Sequence, residues 1–295
     1  WESLLTIYYI KEFCFMILIT GASGTLGKLV TEEALKVFPA EDIAVSVRDA
    51  SKVQHLADKG VTVREADFKK PETLKKAFEN ISQLVVVSAN GQGQELVDAH
   101  KNVINAAKEA GVDRLLYTSQ IGSAPKSHFQ PMVDHYNTEQ LLEESGLNFI
   151  ALRHGFYAAS GAQFFFGGLH DGKLYLPKDG PVNWTTHEDL AEGLVKILQD
   201  KDFSETYPQL TAKQALTMED IAHQYDRSIE RIVISDEQYK EALDQVPHLP
   251  DEMKQMFLDI FHASVDGDFD KSSPLLQELL GREPKDIVSV LKEQK

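Results

Sequence analysis

The sequence predicts an α/β protein: a doubly wound, mostly parallel sheet followed by a smaller, mainly helical C-terminal region. Three observations predict it. Short, near-continuous apolar runs such as Met16–Thr20, Ile43–Val47 and Leu84–Ser88 alternate with stretches of helical periodicity. Runs of that kind suit strands covered on both faces, as in a parallel sheet. A glycine turn, Gly21, Gly24 and Gly27, stands between the first run and the first helix. From Phe156 onward the strand-like runs thin out and helical ones dominate.

The glycine turn has a chemical reason. Gly21 lets the chain turn sharply, Gly24 removes a side chain where backbone approaches a ligand, and Gly27 lets the helix pack against the strand. The free N–H groups that open the helix then face an anion, helped by the helix dipole. Strand, turn and helix together are what a dinucleotide diphosphate requires, so Gly21, Ser23, Gly24, Thr25, Leu26 and Gly27 are the first candidate binding residues.

Taken in order, the second strand is Ile43–Val47, a helical stretch covers Ser51–Asp58, and Val61–Glu65 is the third strand. Pro71 opens a helix at its first turn, with Leu74, Ala77 and Phe78 on one face. Leu84–Ser88 is the most strand-like run. The helix over Glu95–Ala110 stops at Gly111, Arg114–Ser119 is strand five, Val133–Ser145 is a helix ended by Gly146, and Asn148–Arg153 is strand six. Strands alternating with helices at this pace imply right-handed crossovers. A ligand then lies at the carboxyl ends of strands one, four, five and six: Gly21–Gly24, Ser88–Ala89–Asn90, Ser119–Ser123, and His154–Gly155–Phe156–Tyr157. Further on, Thr186 and Asp189 read as a capping box, Thr217 and Asp220 as a second, and Tyr207–Thr211 as one more strand. Helical stretches follow at Glu237–Leu243, Asp251–His262 and Ser273–Leu280. The expected division is an extension over 1–15 that need not be native, a nucleotide-binding domain over 16–155, and a substrate-binding lid over 156–295. Part of 182–212 is expected to rejoin the sheet.

Composition narrows the function. The 295 residues can bury a full core, and 42% hydrophobic with 26% charged residues is ordinary for a globular protein. A net charge of −16 argues against nucleic acid or an anionic membrane as partner. One cysteine, Cys14, leaves no internal disulfide and no cysteine-based metal site; no metal is expected, and a cytoplasmic setting is. Lys11 and Glu12 interrupt the apolar run of 1–15, which is too short to span a bilayer. Monomer and homodimer stay open.

The second strand selects the cofactor. NAD-binding versions of this fold place an acidic side chain at that strand's end, to hold the ribose 2′-hydroxyl. Here it ends Ser46-Val47-Arg48-Asp49. The Arg48 guanidinium can clamp a 2′-phosphate, with Lys52 near enough to help, so NADP(H) is preferred over NAD(H). A solvated Arg48 paired with Asp49 is the plain alternative. Asp67 and Phe68, after strand three, are expected beside the adenine.

The Tyr-x-x-x-Lys pair of a ketone–alcohol dehydrogenase is missing: Tyr136 is followed four places on by Gln140. The segments TGASGTLG at 20–27, VRD at 47–49, ADF at 66–68, HYNTEQLLEESG at 135–146, LRHGFY at 152–157 and LLGREP at 279–284 instead carry a different likeness. With them the sequence resembles the NmrA-like, atypical short-chain dehydrogenase/reductase family, in its quinone oxidoreductase type 2 and triphenylmethane reductase branch, from Met16 almost to Lys295. The resemblance implies a Rossmann-type NADP(H) domain with a small C-terminal domain, and hydride transfer to a small flat electrophile such as a quinone. It places His135 where relatives carry His or Lys facing the nicotinamide ribose. His154 departs from the branch, which has Asn there.

Hydride reduction of a quinone needs a stacked, flat acceptor near the nicotinamide and a donor for the developing phenolate. His135, His154, Tyr157 and Asn90 are the candidate donors, and Phe156, Phe164, Phe165 and Phe166 the candidate apolar slot, with core packing the alternative for each. The alternative at the level of the whole protein is a non-catalytic NADP(H)-binding redox sensor. It keeps Arg48 and the glycine loop, and the change to His154 favours it.

Overall fold

A computed structural model describes residues 16–294, so the expectation for 1–15 lies outside the described residues. The chain alternates from the start: β1 (Ile17–Thr20), α1 (Thr25–Ala34), β2 (Ile43–Val47), α2 (Gln54–Ala57), β3 (Thr62–Glu65), α3 (Pro71–Ala77), β4 (Gln83–Val86), α4 (Gln94–Ala110), β5 (Arg114–Gln120), α5 (Gln130–Ser145) and β6 (Phe149–His154). It continues through β7 (Phe156–Tyr157), α6 (Ala158–Gly168), β8 (Leu169–His170), β9 (Lys173–Leu176), β10 (Trp184–Thr185), α7 (His187–Gln199) and β11 (Gln209–Leu210). The last elements are α8 (Met218–Tyr225), β12 (Glu230–Val233), α9 (Asp236–Asp244), α10 (Asp251–Val265), α11 (Leu275–Leu280) and α12 (Ile287–Glu293).

The central sheet has the order β11-β6-β5-β4-β1-β2-β3, and every pair in it is parallel. Strand order reverses between β1 and β4, which opens a crevice at their carboxyl ends. β1, β2, β4 and β5 are buried along their whole length, as a sheet covered on both faces requires. Helices α3 and α4 pack on one face around Phe78, Leu84 and Tyr117; α1 and α7 pack on the other around Ile19, Val30 and Leu194.

Several elements differ from the sequence expectation. α5 begins at Gln130 rather than Val133, with Pro131 in its first turn, where a missing N–H costs nothing. α6 was missed because its apolar residues run nearly all round and leave no helical period. The mainly helical C-terminal region also holds a small sheet, β12-β9-β8, closed by a two-residue hairpin at Asp171 (φ 51°) and Gly172 (φ 72°). An Asp-Gly pair is the residue choice that such a turn demands. The box at Thr217 and Asp220 is complete, whereas Asp189 leaves Thr186 to cap α7 alone. Its carboxylate accepts from the Lys285 N–H at 2.7 Å and pairs with Arg282 at 2.8 Å, tying the LLGREP segment to α7. No described helix is long and apolar enough to cross a membrane.

Candidate active site: a nucleotide cleft opening into an apolar pocket

The glycine turn is built as tightly as its spacing predicts. Gly21 has φ 68°, its N–H bonds the Ser46 carbonyl, and its own carbonyl accepts from the Gly24 N–H at 2.9 Å. A Cβ on Gly27 would lie 2.2 Å from the Gly21 oxygen, so no side chain fits between helix and turn. Gly24 opens α1 without a side-chain cap, leaving the first-turn amides to face the cleft. The cleft has a volume of about 500 Å³. Its walls include the whole run from Ser23 to Gly27, then Arg48, Asp67, Phe68, and Ser88 to Asn90.

Arg48 is exposed and has no protein hydrogen bond or ion pair among the described residues, so its guanidinium is available to a ligand. The Asp49 alternative fails, because that carboxylate caps the next turn by accepting from Ser51 N–H and O–H at 3.0 and 2.6 Å. Lys52 is absent from the cleft wall, and Lys69, which lines it, is paired with Glu95. A phosphate beyond the ribose would thus meet one free cation at this corner. The local field offsets the acidic surface where it matters.

A second cavity of about 390 Å³ adjoins the first and shares Val87 to Gly91, Leu96 and Tyr157 with it. Ser119, His135, Gly155 and Phe156 line this second cavity, not the cleft. Its apolar walls come from three separate segments: Phe129 and Met132, then Phe156 and Phe164, then Met256, Phe257 and Ile260 on α10. Of the expected phenylalanine slot, Phe156 and Phe164 take part. Phe165 is fully buried and Phe166 packs against Tyr225, because neighbouring helix positions point to different faces. Phe129, Phe257 and the two methionines carried no local signal. His187, which lines the cleft and stacks on Tyr157 with centroids 4.0 Å apart, was also missed.

Hydrogen bonds hold the loop between the two cavities. Asp134 on α5 accepts from the Gly93 N–H at 2.6 Å, and His100 on α4 accepts from the Ala89 N–H through Nε2 at 3.3 Å. The signature residues of the His-x-x-Thr-Glu helix and the Leu-Arg strand meet as a buried ion pair. Glu139 accepts from Arg153 at 3.0 and 2.7 Å and from Ser119 and Ser123 at 2.7 and 2.9 Å. Removing Arg153 alone would strand a buried carboxylate at a cost of about 3–5 kcal/mol. These residues secure α5 and the histidine it carries.

The candidate donors separate in the structure. Asn90 and Tyr157 stand where the two cavities meet, and His135 lines the second. Burial pushes the Tyr157 phenol up to about 12 and the His135 imidazole down to about 4, in the latter case against Glu139 and Asp134. His154 corrects the expectation. It lines neither cavity, is 1% exposed, and neither ring nitrogen has a hydrogen-bond partner. The strand alternation that points Arg153 at Glu139 turns His154 to the other face, where burial drops its pKa to about 3. Among the described residues no three His, Cys, Asp or Glu side chains are grouped to hold a metal.

Fold and site define a doubly wound nucleotide-cleft protein with an apolar pocket at the cleft's end. The chain matches the NmrA-like family over residues 15–288 and belongs to it. It is 31% identical over 271 residues to quinone oxidoreductase 2 of Escherichia coli (strain K12), covering 90% of this chain and 94% of that one. It is 30% identical over 237 residues to NAD(P)H azoreductase of Xenophilus azovorans, covering 77% and 80%. The crystal structure of Citrobacter sp. triphenylmethane reductase complexed with NADP(H) matches with a TM-score of 0.88 at 28% identity, over 95% of this chain and all of that one (100%). That of the NADPH-dependent quinone oxidoreductase from Escherichia coli complexed with NADPH matches with a TM-score of 0.86 at 29% identity, over 95% and 99%.

Proposed function

We propose that this protein is an NADPH-dependent oxidoreductase that passes hydride to a quinone or another flat, conjugated electrophile. One observation carries the reading: the nucleotide cleft, with the unpaired Arg48 at one end, opens at the other into a pocket walled by aromatic and methionine side chains. The oxidoreductase class is that of the relatives named above, and two of the matched structures hold NADPH or NADP(H).

The cleft fits the cofactor on its own geometry, through the Gly27 contact, the uncapped start of α1 and the free guanidinium. When bound, NADPH supplies the hydride. In this reading the glycine loop takes the diphosphate, Arg48 the 2′-phosphate, and Asp67 and Phe68 the adenosine end. Ser88 to Asn90, with Ser119, line the end where the nicotinamide enters. Phe129, Phe156, Phe164 and Phe257 sandwich a flat acceptor and exclude water, which strengthens every polar contact inside. Asn90, Tyr157 and His135 are the donors placed for the oxygen that gains charge. The sensor alternative loses its ground, since His154 does not line the pocket it was thought to alter.

Titration with NADPH and NADH by intrinsic fluorescence, followed by NADPH consumption over a panel of quinones, tests the reading. Tight NADPH binding with turnover is the expected result. Binding without turnover on any acceptor would return the choice to the sensor, and binding of neither nucleotide would overturn the cleft assignment.

A further inference from the structure

His135 is held at one ring edge by a neighbour in the wall of the same cavity. Its Nδ1 lies 2.8 Å from the hydroxyl of Tyr117, a residue of β5 that is itself fully buried. Its Nε2 has no protein partner among the described residues, yet it is not among the buried unsatisfied atoms, so it is the edge left to the pocket.

The protons in this cluster can be followed from a fixed start. The Ala89 N–H can only donate, so His100 Nε2 accepts and the ring carries its proton on Nδ1. That N–H faces Thr138 Oγ1 at 3.0 Å, and the Thr138 hydroxyl donates onward to the Asp134 carbonyl at 2.9 Å. With the His100 N–H and the Thr138 proton committed elsewhere, the nitrogen that the Tyr117 hydroxyl meets at 2.8 Å is that of a neutral imidazole, a strong acceptor for the phenol's proton.

We infer that Tyr117 is a positioning residue, whose O–H donates to Nδ1 of His135 and fixes the ring with its proton on Nε2, so that His135 offers a standing N–H donor to the acceptor's oxygen. The inference rests on the acceptor-pocket reading above and adds to it a tautomer and the residue that sets it. His135 then works as a neutral hydrogen-bond donor. The hydride comes from NADPH and the reduced product takes its proton from solvent on release, so no proton leaves the ring.

The charges around His135 agree with a neutral ring. On its own helix, Asp134 is occupied by the Gly93 N–H and Gln130, and Glu139 by Arg153, Ser119 and Ser123. From β5 it meets Tyr117, and the neutral rings of His100 on α4 and His154 on β6 lie nearby. Burial outweighs the two carboxylates and keeps the imidazole unprotonated above about pH 4.

The test is nitrogen-15 NMR of the histidine rings in labelled protein with NADP+ bound, combined with kinetics. The His135 signals, assigned by their loss in His135→Gln, are expected to show the Nε2–H tautomer, and Tyr117→Phe should give a mixture of tautomers. With a quinone, Tyr117→Phe should lower kcat about tenfold and leave the KM for NADPH unchanged. His135→Leu should lose about 100-fold, and His135→Gln, which can still donate an N–H, should recover part of it. Wild-type kcat should show no ionisation of this group between pH 5 and 8.

An Nδ1–H tautomer in the wild type, or an unaltered tautomer and kcat in Tyr117→Phe, would overturn the inference. If Tyr117→Phe does not fold, the wild-type tautomer and the contrast between Gln and Leu at position 135 decide. If no quinone is reduced, the functional reading fails separately. Anthraquinone-2-sulfonate added with NADP+ then still decides: a shifted His135 Nε2–H signal supports the inference, and an unmoved one overturns it.

Discussion

The nucleotide cleft and the apolar pocket touch along one short loop, yet they are made in opposite ways. The cleft is organised around a backbone turn. In the proposed reading its diphosphate end is the glycine turn between Gly21 and Gly27, and its selectivity rests on one side chain, Arg48, at the end of β2. The apolar walls of the pocket are side chains drawn from segments near 130, 160 and 257 that meet only after folding. A site formed by local backbone can be read along the chain and fails abruptly when one atom is added. A site formed by distant side chains is spread over many contacts and gives way gradually.

The largest expected effect tests the backbone half. Gly27→Ala puts a methyl group 2.2 Å from the Gly21 oxygen, and neither backbone segment can move without opening the turn. NADPH binding should fall more than about 100-fold, with about 1–3 kcal/mol lost in stability. Titration and thermal melting measure the two. Binding that survives would mean the turn is not the diphosphate site.

Next comes the cleft's selectivity. Arg48→Glu should weaken NADPH by about 2–5 kcal/mol and NADH much less. Equal losses for both nucleotides would remove the 2′-phosphate assignment and leave the two cavities equally unselective.

Acid should act on the packed framework beneath both. His100 and His154 are held neutral with pKa values near 3, against an ordinary 6.5. Between those values the unfolded chain takes up protons and the folded one does not. Stability is therefore full above about pH 6.5 and is lost as pH falls toward 3, by about 2 kcal/mol per histidine at pH 5. His154→Leu removes two unsatisfied buried nitrogens, so it should cost little at pH 7 and flatten this decline. An unchanged slope of melting temperature against pH would show that His154 is not held neutral.

The smallest effect belongs to the pocket. Phe257→Ala removes one wall of several, and kcat/KM for a quinone should drop by about 1 kcal/mol while NADPH affinity stays the same. A loss in NADPH affinity of similar size would show that the two cavities act as one site.

By itself the sequence determined the alternation of strands and helices, the glycine turn and Arg48. Each depends on neighbours along the chain: a period, a turn, a strand end. The tertiary structure alone decided which phenylalanines face the pocket, that α10 closes it, that Glu139 and Arg153 form a buried pair, and that Tyr117 holds one edge of His135. It also turned His154 away from the pocket, while Tyr157, three places on, lines it. A side chain's direction depends on what packs against it from far along the chain, and no local pattern carries that information.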